Sequence, residues 1–150
     1  MKKHLLALLG SLTLTASLAF GHGGVELGPH GGRLVEFGEK APLTAEVVLQ
    51  DGKFVIGLYD EAAKKEVPAT TQALTITHKE KNAKLAPELK DGKWVIAKPE
   101  GDDFWLIMSL KADAGAKAQN GRLHYDANIC GECKKAEWVC QCAAKEEKKK

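Results

Sequence analysis

The strongest chemical signal in this chain is a cluster of cysteines near its C-terminal end. All four cysteines of the sequence fall within thirteen residues, in the spacing C-x2-C-x6-C-x-C. In the first pair, Gly131 permits a tight turn that would fold the second sulfur back toward the first. In the second pair, an extended backbone would place residues i and i+2 on the same face, so that both sulfurs converge. Four soft thiolates suit Zn²⁺ or Cu(I). The predicted metal ligands are Cys130, Cys133, Cys140 and Cys142.

Two other uses of these cysteines are open at the level of sequence. An exported protein meets an oxidising compartment, where an even number of cysteines usually forms disulfides. Four cysteines allow three pairings, and spacing does not choose among them. The protein would then be a disulfide-stapled β-sandwich with a structural or protein-interaction role and no metal role. The pair Cys130 and Cys133 could also act as a thiol–disulfide catalyst, although no thioredoxin-like βαβ pattern surrounds it.

A second candidate for metal binding is the segment 22–32, with the sequence HGGVELGPHGG. Its glycine content predicts a flexible or irregular arm. If a leader is removed after Ala19, His22 becomes the third residue, a position that suits Cu(II) or Ni(II) in a square plane. If removal follows Gly21, His22 becomes the first residue and can chelate through its amine and imidazole. His22 and His30 are therefore predicted ligands of a weak, exchangeable site; alternatively, both are incidental residues of a flexible leader.

The first 21 residues have the features of a secretory signal peptide. Lys2 and Lys3 give a basic start, and residues 5–20 form an apolar run that ends in small residues. The run is shorter and more polar than the roughly 20 apolar residues that a membrane span needs. Cleavage after Ala19 or Gly21 would yield a periplasmic or secreted protein without a membrane span.

Composition narrows the function classes further. The chain has 22 Lys+Arg and 20 Asp+Glu, and removal of Lys2 and Lys3 leaves 20 of each sign. The predicted mature chain therefore has no net positive charge, whereas nucleic-acid-binding proteins carry a basic surface. Of three serines only Ser109 lies outside the predicted leader, so a serine hydrolase has almost no candidate nucleophile. Because no glycine-rich phosphate loop occurs either, the sequence predicts a binding protein and not an enzyme.

Residues 33–128 predict an all-β fold. Eight short runs of branched and aromatic residues recur at a spacing of roughly ten residues, and no helix-period segment interrupts them. Asp51-Gly52 and Asp91-Gly92 predict hairpin turns, and Asn120-Gly121 predicts a further turn. The pattern is typical of a small antiparallel β-sandwich, Ig-like with about seven strands. The predicted organisation is a signal peptide (1–21), a Gly/His-rich arm (22–32), the β-sandwich (33–128) and a four-Cys module with a charged tail (129–150).

Residues 28–68 resemble a known family. The resemblance rests on residues 28–38 (GPHGGRLVEFG), 45–48 (AEVV), 54–60 (FVIGLYD) and 65–68 (KEVP). They are similar to the N-terminal Pro-His-Gly-Gly β-domain of periplasmic adaptor subunits of heavy-metal efflux pumps of the resistance-nodulation-division type, and to small stand-alone exported proteins with the same opening. The resemblance implies a small β-sandwich, periplasmic handling of copper, zinc or related ions, and an efflux component as partner. His30, and secondarily Glu36, are the ligand candidates that match the family.

Overall fold

The computed structural model describes residues 25–38 and 41–142. The predicted signal peptide (1–21) and His22 lie outside these residues, as does the charged tail from residue 143 onward. Within the described ranges, no helix is both long and apolar enough to cross a membrane.

Two antiparallel β-sheets pack against each other, which confirms the predicted all-β sandwich. The larger sheet has six strands in the order β1-β2-β3-β8-β7, with β4 paired to β3, and the smaller sheet has the order β10-β9-β5-β6. The strands are β1 (Arg33–Glu36), β2 (Leu43–Gln50), β3 (Lys53–Asp60), β4 (Glu66–Val67), β5 (Ala73–His78), β6 (Ala83–Leu85), β7 (Glu88–Lys90), β8 (Lys93–Ala97), β9 (Asp103–Lys111) and β10 (Gln119–Asp126).

The two Asp-Gly hairpin turns are confirmed. Asp51 and Gly52 join β2 to β3 with φ values of 50° and 72°, and Asp91 and Gly92 join β7 to β8 with 49° and 77°. Two successive positive φ values are the signature of a type I′ turn, whose twist matches that of the flanking strands. These turns fix the registers Gln50↔Lys53 and Lys90↔Lys93.

The predicted turn at Asn120-Gly121 is wrong, because both residues lie inside β10. They pair with Ser109 and Met108 of β9. Glycine serves a close approach here instead of a turn: a Cβ on Gly121 would lie 2.5 Å from Val35 Cγ1. This position therefore does need a glycine. The reason is the close contact between β10 and β1, and not a turn of the chain.

The described residues form ten strands where the sequence offers eight runs, because one run divides into two strands and the two-residue β4 was not predicted. The run 84–89 divides at Pro87, which lacks the N–H that a ladder requires. Before the proline, β6 pairs with β5 in the smaller sheet, and after it β7 pairs with β8 in the larger sheet. Trp105 and Ile107 on the outer face of β9 are only half-buried.

The core between the sheets contains a group of aromatic rings centred on Phe54 of β3. Its ring makes edge-on contacts with Phe104, Tyr125 and Trp138, at centroid separations of 6.4, 5.5 and 6.0 Å. Phe104 and Tyr125 belong to the opposite sheet, whereas Trp138 belongs to the cysteine-rich segment. The cysteine-rich segment is therefore anchored in the main core.

Candidate metal centre

A tight loop presents the first pair of cysteines. The N–H of Cys130 donates to the carbonyl of Lys135 at 2.8 Å, and the N–H of Lys134 donates to the carbonyl of Cys130 at 3.1 Å. The residue in the left-handed conformation is Lys134, with φ 59°. Gly131 lies within this turn, as predicted, but it has no such conformation, so the turn does not require a glycine there. The loop turns back at Lys134, one residue after Cys133.

The second pair follows a single turn of 3₁₀ helix, Glu137–Val139. Cys140 has an extended backbone, with φ −77° and ψ 131°, which agrees with the predicted i, i+2 arrangement. The N–H of Cys142 lies 3.4 Å from the sulfur of Cys140 and donates to it. Extended geometry at this point directs both sulfurs to the same side of the chain.

Side chains fasten this second pair to the N-terminal part of the chain. Arg33 of β1 donates from Nη1 to the carbonyl of Trp138 at 3.1 Å. Gln141, which lies between the two cysteines, donates from Nε2 to the carbonyl of Val25 at 3.3 Å. The cysteine-rich segment therefore touches the beginning of the described chain.

The four sulfurs converge on one point. All lie within 4.8 Å of one another, and all four cysteines are free. The sulfurs of Cys130 and Cys142 are 3.9 Å apart, and those of Cys133 and Cys140 are 3.6 Å apart. A tetrahedral ion with Zn–S bonds of about 2.3 Å needs sulfurs about 3.8 Å apart. The donor set and its spacing fit, so the cluster could hold a metal ion, whose identity the geometry alone does not name.

The electrostatics of the cluster also favour a cation. The backbone N–H of Lys135 donates to the sulfur of Cys133 and lowers the pKa of that thiol to about 7. The hydrogen bond with the thiol of Cys140 raises the pKa of Cys142. Like charges this close oppose further ionisation. A bound cation removes that opposition, because a coordinating thiol is deprotonated outright.

His30 lies elsewhere, in the turn that leads into β1. Its Nδ1 is 2.9 Å from Oε2 of Glu46 and 3.0 Å from the hydroxyl of Tyr59. A Nδ1–H that donates to the carboxylate leaves Nε2 with a free lone pair, and this pattern orients many metal-binding histidines. The imidazole is 55% exposed. His30 thus offers one ligand atom, but it does not belong to the cysteine cluster. His22 is outside the described residues.

Sequence reasoning missed Glu46, although it lies within the motif that carries the family resemblance. Its side chain is 2% exposed, and Oε1 accepts the backbone N–H groups of His30 and Gly32 at 2.8 and 3.0 Å. Residues 25–32 are irregular, as their glycines predict, but this carboxylate ties the Pro-His-Gly-Gly turn to β2. The available signal was one acid in the otherwise apolar centre of a strand.

Tyr59 completes this arrangement from β3. Burial and the neighbouring Glu46 and Glu66 raise the pKa of Tyr59 to about 12. The phenol is protonated at neutral pH, and its hydroxyl can donate to the carboxylate of Glu46. Within the described parts of the chain, the cysteine cluster is the one group of three or more ligating side chains whose ligand atoms converge.

Comparison with known proteins gives no family assignment: no protein-family model, curated protein or solved structure shows a significant match to this chain.

Proposed function

We propose that this chain is an exported protein that binds one transition-metal ion through the four-cysteine cluster, and that it buffers that metal in the periplasm. The observation that carries the proposal is the convergence of all four sulfurs within 4.8 Å. Cys130 comes from the end of the sandwich and Cys142 from beyond Trp138, so the fold must bring them together. Four thiolates on two loops are a typical structural zinc donor set.

Within this proposal we assign Zn²⁺ as the bound ion. A tetrahedral arrangement of four sulfurs is characteristic of zinc or iron–sulfur sites. Sulfur separations of 3.6 and 3.9 Å lie on either side of the zinc value. Cu(I) shares the preference for thiolates and is the competing ion. Binding requires loss of the thiol protons, so metal uptake releases protons.

The export and efflux parts of the proposal rest on the sequence. The leader at 1–21 supports export, and the resemblance of residues 28–68 to efflux adaptor domains supports a periplasmic efflux component as partner. In this proposal His22 and His30 form a weaker, exchangeable site. The carboxylate of Glu46 supports the role of His30, because it would hold the imidazole with Nε2 free.

The alternative is a disulfide-stapled interaction domain without a metal. One observation favours it: Cys130 and Cys142, and Cys133 and Cys140, form two separate close pairs. The same four sulfurs cannot bind a metal and form two disulfides at once. The two functions therefore predict different masses for the same protein.

The deciding experiment is intact-mass measurement of the exported protein, under native conditions and after denaturation without reductant. We expect one zinc per chain in the native spectrum and four free thiols after denaturation. Cys133→Ser should weaken zinc binding by more than the roughly 10–100-fold that outer-shell changes cause, whereas His30→Ala should leave it unchanged. A metal-free protein that lacks four hydrogens, and that still binds no zinc after its disulfides are reduced, would instead establish the disulfide alternative.

A further inference from the structure

In each of the two close sulfur pairs, one cysteine is more exposed to solvent than the other. Cys133 is exposed and its neighbour Cys140 is 7% exposed; Cys142 is partly exposed and its neighbour Cys130 is 6% exposed. Each pair therefore combines a cysteine that is exposed or partly exposed with one that is buried. This division is the arrangement of an attacking thiol beside a resolving thiol.

We propose that the cluster is also a redox-modification site, at which a low-molecular-weight disulfide converts Cys130–Cys142 and Cys133–Cys140 into two disulfides and so expels the metal. This inference rests on the proposed function, since it names how the same site gives up its ion. The metal-bound and disulfide-stapled forms then become two states of one protein.

The step is a pair of thiol–disulfide exchanges. The thiolate of Cys133 attacks one sulfur of the small disulfide, forms a mixed disulfide and expels one small thiolate. The thiolate of Cys140 then attacks the sulfur of Cys133 and expels the second small thiolate. Cys142 and Cys130 react in the same way with a second molecule. Four protein thiolates are oxidised to two disulfides, two small disulfides are reduced to four thiolates, and zinc leaves as Zn²⁺ without changing its oxidation state.

The backbone favours this pairing over a bond between Cys140 and Cys142. Extended residues two apart have Cα atoms about 6.6 Å apart, close to the upper limit that a disulfide accepts. A bond between Cys133 and Cys140 instead connects the two loops, whose sulfurs are already 3.6 Å apart. A β-bridge between Ile129 and Ala136 closes the base of the first loop.

The test uses the full chain, reduced and loaded with zinc without oxygen, then treated with oxidised glutathione. Released zinc is followed with a chromophoric chelator, and the bonds are mapped by mass spectrometry of peptides. We expect one zinc released per chain, a mass lower by four hydrogens than that of the reduced protein, and the pairs Cys130–Cys142 and Cys133–Cys140. Retained zinc, or any other pairing, would overturn the inference.

A matched pair of variants tests the two roles separately. Cys140→Ser and Cys133→Ser each remove one ligand, so a difference between them reports on sulfur chemistry and not on zinc affinity. Cys140→Ser should accumulate a glutathione adduct on Cys133, whereas Cys133→Ser should leave the buried Cys140 without an adduct. If glutathione modified Cys140 in Cys133→Ser as fully as it modifies Cys133 in Cys140→Ser, the assignment of attacking and resolving sulfurs would be contradicted.

The design separates the two proposals. If the reduced chain binds no zinc before oxidant is added, the proposed function itself fails. If it binds one zinc and glutathione neither releases the ion nor forms the two disulfides, the proposed function stands and only the redox inference fails.

Discussion

The carboxylate of Glu46 shows how one residue can define a motif that lies far from it in sequence. A buried carboxylate is costly unless its oxygens accept hydrogen bonds. Here the donors are the backbone N–H groups of His30 and Gly32 and the imidazole of His30. Gly28 belongs to the same arrangement, because a Cβ there would lie 2.5 Å from the Glu46 carboxyl carbon. The Pro-His-Gly-Gly turn is therefore shaped around this acid.

Glu46→Ala should lower the free energy of unfolding by about 2–4 kcal/mol, since it leaves two backbone donors without an acceptor. Glu46→Gln should cost less, because its amide oxygen can still accept both N–H groups. The imidazole proton should then move from Nδ1 to Nε2, as its new neighbour is a donor. Urea unfolding and ¹⁵N NMR of the histidine measure the two effects. Exposed Glu36→Ala is the control, with a change within about 0.5 kcal/mol; equal losses for both alanine variants would refute this role.

At the scale of strands, the sequence predicts what local chemistry determines. The two Asp-Gly turns follow from backbone preferences of adjacent residues, and alternation on β5 marks the face that packs inward. Asn120-Gly121 has the same local chemistry but lies within a strand, because the contact of Gly121 with Val35 of β1 decides its role. The division at Pro87 likewise depends on which sheet offers a partner. Such long-range contacts cannot be predicted from two adjacent residues.

Two glycine substitutions test this argument. Gly121→Ala should destabilise the protein by about 1–3 kcal/mol, since the added carbon would lie 2.5 Å from Val35 Cγ1 and 2.7 Å from the carbonyl oxygen of Glu36. Gly57→Ala in β3 is the matched control, because its added carbon would meet nothing closer than 3.5 Å. We expect Gly57→Ala to be neutral or stabilising by up to about 1 kcal/mol. Thermal unfolding of both variants decides; similar destabilisation would mean that the close approach is not limiting.

The candidate site was predictable to a similar extent. The cysteine spacing indicates convergence because each pair is local, and both pairs do meet. The local geometry of the pairs could not be predicted from spacing. The turn after Cys133 depends on the left-handed conformation of Lys134, and the lowered pKa of the Cys133 thiol depends on the N–H of Lys135. The anchoring of the segment through Trp138 also depends on a space between the two sheets.

At the scale of the whole molecule, the cysteine cluster and the core are connected. Trp138 lies between the two cysteine pairs in sequence and packs against Phe54 and Tyr125. An ion that fixes the cysteines also fixes the position of this side chain. Metal binding should therefore stabilise the sandwich and not only the C-terminal segment.

Saturation with zinc should raise the thermal midpoint of unfolding. At free zinc 100-fold above the dissociation constant, binding only to the folded state contributes about 2.7 kcal/mol, which corresponds to a shift of about 5–15 °C for a domain of this size. Calorimetry with and without a chelator measures the shift. His30→Ala should retain it and Cys133→Ser should lose it. An unchanged midpoint in the wild-type chain would show that the cysteines do not couple metal binding to folding.

The contact between Gln141 and Val25 makes the described chain almost a closed ring. A short glycine-rich linker from residue 142 to residue 25 would join two points that the fold already holds side by side. New ends could then be opened in the exposed turn around Asp113 and Gly115, between β9 and β10, where no ladder would be cut. A circular permutant of this kind would keep both sheets and all four cysteines, with the cysteine cluster no longer near the C-terminal end of the chain.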